Sequence, residues 1–356
     1  MKQLDDLNKI KKIDRQGMLE IEENFYHQLV EAKKIADSVD LSKIGGKNYT
    51  GIAFLGMGGS GFVGDLIKSL IKDDSDIPVE TVKGYSLPGY IDKDWLVVPV
   101  SYSGNTEETI SCLKQAKERG STFLFVTSGG LLEKMAEEYE ACMVKVPTGY
   151  QPRGAIGFLF LPTFLALRNT GLAKVNSSDI DSALAQIKEL SEKFNREVET
   201  GKNFAKQIAA AIGDNLPVVY GSGGYLSAIT YRWKCEINEN GKTPCFWAEF
   251  PELNHNETVG WDRLADTTRK LTLLILRDDD ESIRMKTRID ATVGLVKANF
   301  SGVIEIPVKG RSRLAKALSA MYTGDIASVY LALLHGVDPT PVEKIEKLKA
   351  ELAKLD

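Results

Sequence analysis

The chain has 356 residues, of which 43% are hydrophobic and 26% charged, and a formal net charge of −4. That length exceeds one ordinary hydrophobic core and suggests two domains, and the composition is that of a globular protein rather than a disordered one. So small a net charge gives no support for nucleic-acid or membrane-surface binding through bulk charge.

The N-terminus, Met1-Lys-Gln-Leu-Asp-Asp-Leu7, lacks the apolar stretch of a signal peptide. No apolar run approaches the roughly 18 residues of a membrane span, so a cytoplasmic location is expected. Residues from about 4 to 40 read as charged helix, with Leu19, Ile21, Phe25 and Leu29 on one apolar face. Gly45-Gly46 interrupts it. A strand–helix alternation follows, with strands predicted at 51–56, 78–83, 95–100, 122–127 and 142–146. The intervening helices are predicted at 60–72, 106–119, 130–139 and 153–170. Uninterrupted apolar strands alternating with helices imply a parallel sheet covered on both faces.

Two Gly/Ser loops stand out in this unit. Gly56-Met-Gly-Gly-Ser-Gly61 and Ser101-Tyr-Ser-Gly-Asn-Thr106 each follow an apolar strand and open a helix. A helix N-terminus carries unpaired N–H groups and a partial positive charge that attract an anion. Hydroxyls add donors, and glycine lets the backbone come close. The pair therefore suggests a phosphate pocket. The first loop also fits the G-x-G-x-x-G dinucleotide pattern, but Glu80 sits early in the next strand and the second loop stays unexplained on that reading. A plainer reading makes the glycines turn residues and the hydroxyls helix caps.

A second unit begins near residue 175. A helical stretch at 178–212 leads to the strand Leu216-Pro-Val-Val-Tyr220, then Gly221-Ser-Gly-Gly224 and a helix at about 225–239. Further strands are predicted at 245–249, 270–276 and 302–307, with helices at 280–299, 311–335 and 341–354. The Gly-Ser-Gly-Gly loop repeats the first loop in degenerate form, which implies two related α/β domains. No counterpart of the Ser-rich second loop follows, so one main phosphate site is expected.

Residues 236–261 hold the other concentration of polar chemistry. Glu239 precedes Asn240-Gly241, a helix C-terminal pattern where the macrodipole disfavours an acid. His255 lies between Asn254 and Asn256 in a polar loop and can serve as an acid or base near neutral pH. His27 and His335 read as structural. Cys112, Cys142, Cys235 and Cys245 are scattered, which predicts reduced thiols. The dispersed Cys and His residues form no metal-ligand cluster.

At these residues the chain resembles the bifunctional phosphoglucose/phosphomannose isomerase family of the SIS (sugar isomerase) superfamily. The resemblance rests on both Gly/Ser loops, Pro152-Arg153, Asn238-Glu-Asn-Gly-Lys242, Pro251-Glu-Leu-Asn-His-Asn256, Gly336-Val-Asp-Pro339 and Ile345-Glu-Lys-Leu-Lys349. It implies two SIS-type domains with flavodoxin-like, three-layer α/β/α sheets that are mostly parallel. Residues 45–174 would form the first and 175–356 the second, after a helical segment at 1–44. It further implies that Gly58, Gly59, Ser60, Ser101, Ser103 and Thr106 hold a sugar 6-phosphate. Glu239 would be the proton-transferring base, and His255 would aid ring opening from the neighbouring subunit of a homodimer. Arg153 and Lys349 would stabilise negative charge or assist ring opening, with Lys347 a near competitor for Lys349.

The chemistry suits those residue types. Converting an aldose to a ketose phosphate moves a proton between adjacent carbons through a cis-enediol(ate), which one carboxylate can do. The developing oxyanion needs a cation. No metal or redox cofactor is required. Reprotonation of the planar intermediate from either face gives glucose or mannose 6-phosphate. A non-catalytic sugar-phosphate sensor, a SIS isomerase for a different sugar phosphate and, more distantly, a nicotinamide-dependent oxidoreductase are the alternatives.

Overall fold

The structure is a computed structural model and describes residues 2–355. Five parallel strands, β1 (Gly51–Leu55), β2 (Val79–Val82), β3 (Trp95–Ser101), β4 (Thr122–Thr127) and β5 (Cys142–Lys145), form one sheet in the order β2-β1-β3-β4-β5. Four more, β6 (Leu216–Ser222), β7 (Phe246–Phe250), β8 (Leu271–Asp278) and β9 (Gly302–Val308), form a second parallel sheet in the order β7-β6-β8-β9. Every residue of β1 and β3 is buried, as strands covered on both faces require.

The two sheets share a topology. In each, the first strand is internal, the second pairs on one side and the third on the other. The connections therefore diverge between β1 and β3, and between β6 and β8. At such a switch point the loops beyond the strand C-termini splay apart and leave a crevice. Both Gly/Ser loops leave the strands that flank the first switch point.

The helices are α1 (Leu7–Ile13), α2 (Met18–Glu23), α3 (Phe25–Ser38), α4 (Gly58–Ile71), α5 (Glu107–Glu118), α6 (Gly130–Glu138), α7 (Ile156–Asn169), α8 (Ser177–Phe194), α9 (Phe204–Ile212), α10 (Leu226–Glu239), α11 (Ala265–Thr268), α12 (Ile283–Val296), α13 (Arg313–Leu334) and α14 (Glu343–Leu352). Helix α3 packs on α7, α10 on α4, and α13 on α8, α9, α10 and α2. One continuous core runs from Leu4, Leu19 and Leu29 through Phe160 and Val219 to Leu318 and Leu331.

Three expectations need correction. The stretch 4–40 is three α-helices, because the Asp14 carboxylate accepts from Met18 and Leu19 N–H, both at 2.9 Å, and starts α2 afresh. Leu19, Phe25 and Leu29 are buried as expected, but Ile21 is only half-buried and Glu22 takes the interior position. The stretch 178–212 is broken between α8 and α9, where buried Lys206 Nζ donates to Asp5 Oδ1 at 3.1 Å and to the Arg196 and Val198 carbonyls at 2.8 Å. Helix α13, finally, is long and apolar enough to cross a membrane by length and composition. Its most apolar window is 94% buried within the protein, as a central core helix should be.

Candidate active site

The loop after β1 turns directly into α4, whose first residues are Gly58, Gly59 and Ser60. A Cβ on Gly61 would strike the Gly56 carbonyl, so this turn closes only around glycine. The loop after β3 lies against it: Tyr102 N–H donates to Ser60 Oγ at 3.2 Å. Within the second loop, Ser101 Oγ lies 2.8 Å from Thr106 Oγ1 and accepts from Gly104 N–H at 3.1 Å. Gly104 has φ +72°, and a Cβ there would fall on the Gly129 carbonyl. Ser128 Oγ donates to the Tyr102 carbonyl at 2.6 Å, tying the loop to the end of β4. Ser103 remains exposed. The structure thus brings Ser60, Ser101 and Thr106 into one rigid assembly with the N-terminus of α4.

Arg153 links this assembly to Glu239. It occupies a 3₁₀ turn, Pro152–Ala155, ahead of α7. Its backbone abuts the first loop: a Cβ on Gly59 would sit 3.2 Å from Arg153 Cα. Its side chain is buried, and NH1 stands 3.7 Å from Glu239 Oε2. Glu239 ends α10 with its side chain 31% exposed, which leaves the carboxylate accessible from solvent. It lines a cleft of about 590 Å³ with Lys242, Val337, Asp338, Val342 and Ile345.

The Arg153 guanidinium is held on three sides. Nε donates to Asn240 Oδ1 at 2.6 Å, and NH2 donates to the Pro339 and Thr340 carbonyls at 2.9 and 2.8 Å. Lys242, at φ +52°, donates through Nζ to the Glu239 carbonyl and to the Pro339 carbonyl at 2.9 Å. Burial, with the nearby Arg153 charge, lowers the Lys242 pKa.

Beneath this lies a buried charge network. Arg232 donates through Nε and NH2 to the Asp325 carboxylate at 2.9–3.1 Å, pairs with Glu236 at 3.1 Å, and donates to the Arg153 carbonyl at 3.0 Å. Burial opposes the Arg232 charge, but Asp325 and Glu236 overcome it and raise its pKa. Burial likewise raises the Glu236, Asp325 and Glu22 carboxyls above the usual range, with neighbouring carboxylates adding to the effect on Glu22 and Glu236.

Other expected residues are not gathered here. His255 is exposed at the end of a 3₁₀ turn, Glu252–His255, after β7. Among the described residues, no hydrogen bond or ion pair joins it to Glu239. Lys349 and Lys347 lie on the exposed helix α14, again with no such contact. His335 Nε2 lies 2.8 Å from the Gly213 carbonyl, in keeping with its structural reading. All four cysteines are free, and three are buried.

The second sheet shows why its glycine loop has no Ser-rich companion. The position equivalent to Ser101–Thr106, beyond β8, carries Asp278, Asp279 and Asp280. These carboxylates gather around Lys316 Nζ, at 2.6 Å from Asp278 and 2.5 Å from Asp279. Three acids at that edge repel a phosphate. Asn240, Lys242, Arg232, Asp325 and Glu22 had no assigned role in the sequence reading. Only the run Asn238–Lys242 signalled any of them.

Residues 201–352 match the bacterial phospho-glucose isomerase C-terminal SIS domain family, and residues 49–143 match the SIS domain family. A curated bifunctional phosphoglucose/phosphomannose isomerase from Caldicellulosiruptor bescii is 36% identical over 95% of this chain and 99% of its own. A D-glucosamine-6-phosphate 4-epimerase from Sulfolobus acidocaldarius is 33% identical over 66% of this chain and 71% of its own. In fold, the chain is similar to the C-terminal domain of glucosamine-fructose-6-phosphate aminotransferase from Francisella tularensis. That match has a TM-score of 0.69 at 14% identity, covering 91% of this chain and 98% of the other.

Proposed function

The chain belongs to the family of bifunctional phosphoglucose/phosphomannose isomerases, and from that membership we propose that it interconverts fructose 6-phosphate with glucose 6-phosphate and mannose 6-phosphate. The observation that carries this reading is Arg153. Its backbone abuts the first glycine loop at Gly59 and its guanidinium faces Glu239, so a sugar phosphate anchored at that loop would present its reacting carbons toward the carboxylate.

In this mechanism the α4 N-terminus with Ser60, Ser101, Ser103 and Thr106 holds the phosphate. The Glu239 carboxylate removes a proton from C2 or C1 and returns it to the adjacent carbon. Arg153 NH1 stabilises the negative oxygen of the enediolate. His255 opens the sugar ring from a second copy of the chain. Supporting this, Val259, Leu264, Ile283 and Leu295 are all exposed on the turns that follow His255 and on α12, a face that a partner copy would cover. Lys349 takes part from α14, with Lys347 as the alternative. The domain limits 45–174 and 175–356 each enclose one of the two sheets, which supports that division. We place the enzyme in the cytoplasm, where its four thiols stay reduced.

The test offers fructose 6-phosphate and detects both aldose products. Turnover to glucose 6-phosphate is expected, and Glu239→Gln should lower kcat on the order of 10² or more. Near-normal activity in that variant would defeat the mechanism. The similarity to a 4-epimerase motivates one second reading, C4 epimerisation of an amino-sugar phosphate. Offering glucosamine 6-phosphate and looking for inversion at C4 distinguishes the two.

A further inference from the structure

We propose that Asn240 is a positioning residue that keeps Arg153 from closing on Glu239. This deepens the isomerase reading and rests on it. Asn240 follows Glu239 at the end of α10 and is completely buried. Its Oδ1 accepts from Arg153 Nε at 2.6 Å, while Nδ2 donates to Glu236 Oε2 at 3.1 Å and to Ser328 Oγ at 3.0 Å. The partners fix the amide orientation, because the flipped form would set the NH2 against the Arg153 N–H.

A guanidinium has five N–H donors. Asn240 takes the Nε hydrogen, and the Pro339 and Thr340 carbonyls engage NH2. Only NH1 is left facing Glu239, at 3.7 Å. An arginine beside a free carboxylate otherwise closes into a two-toothed pair. That pair would occupy both oxygens of the base and withdraw the cation from the substrate oxygen. Asn240 prevents the rotation by holding Nε on the far side. The carboxylate therefore stays open for the carbon-bound proton, and NH1 stays open for the developing oxyanion.

The experiment is a double-mutant cycle on the full chain. Asn240→Leu is made in the natural sequence and in Arg153→Lys, where no fork can form. Turnover of fructose 6-phosphate is measured beside the Kd of arabinonate 5-phosphate, whose carboxylate imitates the enediolate. In the natural background kcat should fall about 10–100-fold and the Kd rise comparably, while KM changes less than threefold, because the phosphate loops are untouched. In the Arg153→Lys background the same substitution should change kcat less than threefold. An equal loss in both backgrounds overturns the proposal. If Asn240→Leu does not fold, Asn240→Ala is carried through the same cycle and read by the same criteria. A natural chain that neither turns over nor binds arabinonate 5-phosphate defeats the isomerase reading itself. A natural chain that does both, with no coupling in the cycle, defeats only the role of Asn240.

Discussion

Arg153 and Glu239, from opposite halves of the chain, approach to 3.7 Å with the arginine buried and the glutamate open to a cleft. An ion pair this loose leaves the carboxylate accessible for chemistry, and the arginine cannot drift because its other donors are engaged. The pair also bridges the loops beyond the first sheet and the end of α10 beside the second.

Gly104 is the most confined position in the second loop. Gly104→Ala must accept φ +72° and move the Gly129 carbonyl. A loss of about 2 kcal/mol in stability is expected, together with a KM for fructose 6-phosphate raised about tenfold. Denaturant unfolding and steady-state kinetics read the two effects.

If the loop hydroxyls grip the unreactive end of the substrate, as proposed, they act equally on ground and transition states. Thr106→Val, which removes the partner 2.8 Å from Ser101 Oγ, should raise KM about tenfold and lower kcat much less. A fall confined to kcat would place Thr106 in the chemistry instead.

If His255 serves a neighbouring chain, the two defects complement. Glu239→Gln and His255→Ala chains, each inactive alone, should regain about a quarter of normal activity when unfolded together and refolded as an equal mixture. This is because half the dimers are mixed and each carries one intact site. Activity that stays at the level of the separate variants would put both residues in one chain's site.

Glu22 links acidity to stability. Its carboxyl is buried, one oxygen has no hydrogen-bond partner among the described residues, and burial raises its folded-state pKa well above the ordinary value. The folded state therefore holds this proton more tightly than the unfolded chain does. The stabilisation is fully present below the unfolded value of about 4.3 and is lost as pH rises through the raised folded value. Glu22→Gln removes that dependence. The Tm of the natural chain should fall relative to the variant as pH rises from the unfolded value towards the raised folded one, and parallel melting curves would refute this.

Much of the fold was legible because strands buried on both faces must be apolar throughout, as Phe54, Leu55, Val97 and Val98 are. The loops and Glu239 were legible because each lies in a short contiguous run. The support around Arg153 was not. Arg232, Glu236 and Asp325 drew no reading from the sequence, since charge alone does not tell which side of a helix meets another helix. Glu22 was hidden the same way, one position beyond Ile21. The breaks at Asp14 and Lys206 depend on side chains that reach backbone groups, and apolar periodicity does not register them. His255 and Lys349 sit on exposed elements, and the structure of one chain brings neither to Glu239.

The grip of Arg153 on the Pro339 and Thr340 carbonyls spans up to 187 residues of sequence. During synthesis at roughly 5–20 residues per second, about 10–40 s separate the emergence of the two ends of that contact. Throughout that interval the Arg153 side chain lacks the carbonyls that hold it against Glu239. On the proposed function, any chain stopped short of residue 339 would therefore carry both Gly/Ser loops and Glu239 but not the fixed cation between them.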